Sequence, residues 1–184
     1  MPKIKIELVD VFCRYTEDIA GADDFYLLGA LVGGEVTKVI ATRPIKINDK
    51  QTKTFRPEDT VLFEGDIPAG QTVKGGIKAY DEDVAKDWAN KYGETITQIS
   101  SAVSTAVAAA GGPQGAIAGT VLAAATKAVG LFANLDKDDL LDTTELEISA
   151  TGSSREERSW VMKKKDGINW STWDYTLRYR ITRS

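Results

Sequence analysis

Residues 18–32 read Asp18-Ile19-Ala20-Gly21-Ala22-Asp23-Asp24-Phe25-Tyr26-Leu27-Leu28-Gly29-Ala30-Leu31-Val32, an acidic turn with a glycine that passes into an unbroken apolar run closed by Gly33-Gly34. An apolar run of that length between turn signals reads as a β-strand. Upstream, Ile4, Ile6 and Leu8 alternate with Lys3, Lys5 and Glu7, the pattern of a half-buried strand. Downstream, strand signals recur at residues 36–42, 52–55, 60–63 and 73–80, punctuated by Pro44, Pro57 and the turn Pro68-Ala69-Gly70. Short strands at regular spacing with turns between them predict a β-sandwich.

After Tyr80 the period changes. Trp88, Tyr92, Ile96, Ile99, Val103 and Val107 recur at steps of three and four, which predicts a helix beginning near Asp83 with one apolar stripe. Gly111-Gly112-Pro113-Gln114-Gly115 breaks it, and Ile117, Val121, Ala125, Ala128, Phe132 and Leu135 repeat the same spacing. Two such stripes across a tight turn make a helical hairpin. Alternation returns at residues 145–149, 159–163 and 175–181. The expectation is therefore one domain over residues 1–184. Its sandwich is formed by 1–83 and 136–184, and the hairpin, 84–135, interrupts it.

Composition narrows the chemistry. The 184 residues carry a formal net charge of −4, no His and a single Cys, Cys13. There is no overall basic field for nucleic-acid phosphates, no intrachain disulfide, no His-ligated zinc and no nucleophile activated by imidazole. Oxygen ligands remain. Glu145 and Glu147 stand at i and i+2, the exposed face of a strand rather than a catalytic pair, and Gly29, Gly33 and Gly34 precede no helix and form no phosphate loop. No enzyme is expected. The start Met1-Pro2-Lys3-Ile4-Lys5 lacks the apolar core of a signal peptide. The default expectation is a cytoplasmic protein, with peripheral membrane attachment or export without a signal as the alternatives.

The acidic positions carry a family resemblance. Asp18, Gly21, Asp24 and Tyr26 resemble the first calcium loop of C2 domains, where an aspartate and a glycine turn precede Asp-Pro-Tyr; Phe25 stands in place of the proline. Asp81-Glu82-Asp83, following a strand, is similar to the Asp-x-Asp of the second calcium loop in that family. Asp139-Leu140-Leu141-Asp142-Thr143 resembles the aspartate and following strand that close it, displaced more than fifty residues by the hairpin. The resemblance implies a mainly β fold, an eight-stranded antiparallel C2-like sandwich of type II topology with an inserted α-helical hairpin. It also implies Ca2+ held by Asp18, Asp24, Asp81, Asp83 and Asp139, with acidic phospholipid membrane or a protein as partner.

Physical chemistry supports that donor set. Calcium takes about six to eight oxygens in irregular geometry, and short carboxylates from neighbouring loops suit it. Five carboxylates at one edge would repel one another without a cation. The competing account is local: these residues form Asx turns and helix caps, with Asp83 capping the first helix. The hairpin offers three roles. It packs on itself or on the sandwich, it joins copies of the chain into a homo-oligomer as an assembly subunit through its Ala-rich faces, or it enters a bilayer as in a pore-forming or toxin-like effector. Lys163-Lys164-Lys165 before Asp166-Gly167 reads as a solvated hairpin, with anionic lipid contact as the alternative. Lys46, Lys50 and Lys53 read as a second basic face or, with Asp49 among them and their alternating spacing, equally as a polar sandwich surface.

Overall fold

The computed structural model describes residues 1–16, 21–81, 85–113, 115–130, 139–165 and 172–184. In chain order its strands are β1 (Lys3–Tyr15), β2 (Asp23–Gly33), β3 (Val36–Ala41), β4 (Ile45–Ile47), β5 (Gln51–Lys53), β6 (Val61–Asp66) and β7 (Thr72–Asp81). The helices α1 (Ala85–Ala109) and α2 (Ala118–Gly130) follow, then β8 (Asp139–Ser149), β9 (Arg155–Lys165) and β10 (Thr172–Arg183). Eight strands were expected; the described residues form ten, because the link from β3 to β6 contributes β4 and β5, each only three residues long.

The strands make two antiparallel sheets. Sheet A runs β5-β1-β10-β9 with β6 also pairing β1, and sheet B runs β3-β2-β7-β8 with β4 also pairing β2. Period-two alternation turns Ile4, Ile6, Leu8, Leu177, Tyr179 and Ile181 inward from sheet A, against Phe25, Leu27, Leu31, Val73 and Ile77 from sheet B. That is the sandwich core, and all of these side chains are buried.

β2 has a second apolar face. Tyr26, Leu28, Ala30 and Val32 point away from the sandwich core and join Ile99, Val103 and Val107 of α1 and Val121 and Ala125 of α2 in a separate buried cluster. The continuous run from Phe25 to Val32 is thus the signature of a strand covered on both sides. α1 lies over β3 and β2, while α2 lies over β2, β7 and β8, so the hairpin forms a third layer outside sheet B. Its 25-residue first helix, roughly 37 Å long at 1.5 Å per residue, runs along the sheet rather than out from it. Gly76 permits the close docking: a Cβ there would come within 2.8 Å of Leu122 Cδ2 and 2.6 Å of the Thr144 carbonyl. The exposed residues of α1 include Thr97, Gln98, Ser101, Ser104 and Thr105. Among the described residues no helix is long and apolar enough to cross a membrane. Phe132 and Leu135, expected on the second stripe, lie outside the described residues.

The two-sided burial of β2 couples the layers. Leu28→Ala, on the helix-facing side, is expected to cost about 2–5 kcal/mol, as for other buried leucines. Urea denaturation followed by far-UV circular dichroism and by tryptophan fluorescence should show one shared transition. Helix loss at lower urea than the fluorescence change would show the third layer to be an independent unit.

Candidate functional site

One end of the sandwich collects the acidic strand ends. β2 begins at Asp23, β7 ends at Asp81 and β8 begins at Asp139, and the ladder places Asp81 opposite Phe25 on one side and opposite Asp139 on the other. Asp24, Asp81 and Asp139, drawn from distant parts of the chain, therefore lie at one edge of sheet B. The Asp139 side chain, and Asp18 and Asp83 entirely, lie outside the described residues.

The two described aspartates are joined by a hydrogen bond from the backbone of one to the carboxylate of the other. The Asp24 N–H donates to Asp81 Oδ1 at 2.7 Å, and Lys46 Nζ donates to Asp24 Oδ2 at 2.9 Å. Lys46 reaches it because β4 pairs with β2 in a register that sets Asp24 opposite Lys46. The lysine side chain is 71% exposed and the aspartate only 14%, so the ammonium caps the carboxylate from the solvent side. Asp81 is buried.

Beneath this edge lies a buried polar contact that the loop motifs do not announce. Asp23 is 1% exposed and accepts a hydrogen bond at Oδ2 from the Tyr175 hydroxyl, which comes from the opposite sheet. Tyr175 also stacks on Phe25 with ring centroids 5.4 Å apart, and it pairs across the ladder with Cys13. Burial, then the bond to Asp23, pushes the Tyr175 phenol far above its ordinary value, and burial pushes the Cys13 thiol up to about 12. The sequence signal for Asp23 was its parity: it shares a face with Phe25, Leu27 and Leu31, whereas Asp24 shares one with Tyr26.

Neighbouring carboxylates at this end are likewise held by donors. Asp49 Oδ1 accepts from the Thr16 N–H at 2.8 Å and from the Thr16 hydroxyl at 3.0 Å. Asp174 accepts from Lys163 at 2.9 Å, with Arg14 at 3.8 Å. Lys164 sits 4.8 Å above the Trp173 ring. Two indoles tie β8 to sheet A: Trp173 Nε1 donates to the Leu141 carbonyl and Trp160 Nε1 to Asp142 Oδ2, each at 3.0 Å.

Among the described residues no group of three or more Asp, Glu, Cys or His side chains is arranged to hold a metal ion. Asp24 and Asp81 fit calcium in kind, being short hard-oxygen donors at the strand ends. They do not complete a shell of about six oxygens. One oxygen of each already accepts a hydrogen bond, and the Lys46 ammonium stands beside Asp24.

In class, then, the chain is a mainly β, two-sheet antiparallel sandwich with a helical layer on one sheet. No family model matches the sequence, and no curated protein matches it. Solved structures similar to this chain include a C2 domain, at 15% identity over 100% of this chain and 99% of that one, with a TM-score of 0.44. CC2D1B, in a structure concerned with ESRCT-III activity during mitotic reformation of the nuclear envelope, is 11% identical over 98% of this chain and 54% of its own, with a TM-score of 0.43. Human GIVD cytosolic phospholipase A2 is 10% identical over 99% of this chain and 17% of its own, with a TM-score of 0.42.

The buried contact has a pH signature. Tyr175 holds its proton more tightly folded than unfolded, so its contribution to stability is complete below the ordinary phenol value of about 10 and is lost as pH rises past it. Tyr175→Phe should cost about 1–3 kcal/mol at pH 7, by removing a donor from buried Asp23. Urea midpoints should then converge with those of the native chain toward pH 11. A constant gap between the two across that range would show that the phenol does not titrate in the unfolded chain alone.

Proposed function

We propose that this chain is a non-catalytic C2-type interaction module whose acidic pole takes up Ca2+ and, with the ion in place, meets acidic phospholipid. The observation that carries the reading is the end of sheet B, where Asp81 stands opposite Asp139 on one neighbouring strand and opposite Phe25, the residue after Asp24, on the other. Three segments far apart in sequence deliver acidic positions to one edge, beside the connections that carry Asp18 and Asp83. Asp24 and Asp81 supply oxygens from the described part of the site, and the remaining three aspartates complete the set.

Lys46 adds a feature of this chain. As an exposed ion pair, its contact with Asp24 contributes only about 0–1 kcal/mol, so a divalent ion offering more charge at the same carboxylate displaces it readily. Lysine and calcium then compete for one site, and uptake of the ion frees an ammonium near the loop end. Bound Ca2+ reverses the sign of the local potential and bridges protein oxygens to lipid phosphate. The reading places the protein in the cytoplasm, peripheral to a membrane. Assembly or bilayer insertion through the hairpin is less favoured, because its apolar stripe lies against Tyr26, Leu28 and Val32 and undocking would expose them.

Isothermal calorimetry with Ca2+ tests the reading. Asp81→Asn should weaken binding by about tenfold or more, a loss of roughly 1.4 kcal/mol. Lys46→Ala should strengthen it several-fold by removing the competitor. Vesicles containing phosphatidylserine should sediment the native chain with Ca2+ and not with chelator. Absence of heat in the native chain, together with equal sedimentation in both conditions, would overturn the proposal.

A further inference from the structure

β9 is an eleven-residue strand at the edge of sheet A, and among the described residues β10 is its one strand neighbour. β8 lies across the open side of the sandwich and meets β9 through side chains, as in the Trp160 bond to Asp142. The outward backbone edge of a strand this long is a template for another strand. Natural edges of this kind carry lysines that discourage pairing, and Lys163 and Lys164 occupy the C-terminal half of β9. The N-terminal half instead sets Glu156 and Glu157 between Arg155 and Arg158.

We infer that β9 is a self-complementary edge through which two copies of this chain pair antiparallel, extending sheet A across a two-fold axis at Trp160. In that register Glu157 stands opposite Lys163 of the second copy, Glu156 opposite its Lys164, and Ser159 opposite its Val161. Each pairing occurs twice by symmetry. The like-charged positions, Arg155 and Lys165, meet only at the ends of the ladder. A two-fold axis normal to the sheet keeps outer faces together, so only shifts by two residues compete. One such shift sets Arg158 against Lys164, which cancels its one opposite-charge pair of Glu157 with Lys165, and the other sets Arg155 against Lys163 with no opposite-charge pair. The charge pattern selects a single register.

Face and exposure agree with this. Glu157, Ser159, Val161 and Lys163 pair with Arg180, Arg178, Thr176 and Asp174 on the solvent side of sheet A and alternate with buried Met162. Val161 is 57% exposed, one of the few large apolar side chains among the described residues left open to water. The second strand would cover it. Glu157 already accepts from Arg180 at 2.8 Å and Lys163 donates to Asp174 at 2.9 Å, so each incoming charge joins an existing ion pair and extends the network. Opposite-charge cross-strand pairs stabilise a sheet, and like charges directly opposite destabilise it.

Sedimentation velocity from micromolar to roughly millimolar concentration tests the pairing. The native chain should form a dimer whose population falls as salt is raised. Glu157→Lys and Lys163→Glu should each be monomeric, since each sets like charges opposite, and an equimolar mixture of the two should recover a heterodimer because the swapped charges then match. Hydrogen exchange on the native chain gives a readout without substitutions: amides of β9 should gain protection as concentration rises while those of β3 do not. A native chain that stays monomeric throughout, with concentration-independent β9 exchange, would overturn the inference. So would a dimer that persists in both variants, which would place the contact elsewhere.

Discussion

The architecture hangs on a single strand buried on both faces. β2 gives Phe25, Leu27 and Leu31 to the sandwich and Tyr26, Leu28, Ala30 and Val32 to the helices, so it belongs to two cores at once. Full burial of one such large side chain contributes about 1.5–3 kcal/mol, and β2 carries six of them, Phe25, Tyr26, Leu27, Leu28, Leu31 and Val32, within eight consecutive residues. The backbone of a doubly covered strand has no access to water, which makes its ladders with β3, β4 and β7 obligatory. Those ladders in turn fix which acidic residues share an edge. Hydrophobic burial at the centre of the molecule thus sets the electrostatics at its end.

That end is dense in carboxylates, and the described ones are held by donors from several strands. The Tyr175 hydroxyl serves Asp23 from the other sheet, Lys46 serves Asp24 from the neighbouring strand, Thr16 serves Asp49, and Lys163 serves Asp174. The two kinds of contact differ in strength. The Asp23 bond is buried between the sheets, where loss of a partner strands a polar group, while the Lys46 contact faces water and exchanges at little cost. A rigid internal contact beneath an exchangeable outer one leaves the loop end able to change its charge without loosening the sandwich.

Much of this could be read from the sequence, and the unread parts have physical reasons. The sandwich followed from period-two alternation and the hairpin from two stripes at helical spacing, because a half-buried surface leaves a periodic trace. The docking site of the hairpin left no such trace: a stripe of Ile, Val and Ala matches any apolar face. The clue lay in the opposite partner, since an apolar run without alternation requires two covers. β4 escaped notice because three residues are too few to show a period, and β5, signalled at 52–55, begins and ends slightly earlier than its signal. The grouping of Asp24, Asp81 and Asp139 at one edge was legible through motif spacing. Lys46 read as a surface cation because only the β2–β4 register reveals what it faces. Asp23 was passed over beside Asp24 although parity alone separates an inward from an outward carboxylate.

The hairpin enters and leaves between two positions, Asp81 and Asp139, that are ladder partners. Geometrically such a connection asks little of the sandwich, since the strands on either side keep their pairing whatever runs between them. Removal of the helices is another matter, because the sheet beneath them presents tyrosine, leucine and valine. A lineage that dropped the helices would inherit a sticky wall and would need several compensating polar changes at once. The helical layer is thus joined to the sandwich at a point that asks little of the strands, and locked in place by the side chains it covers.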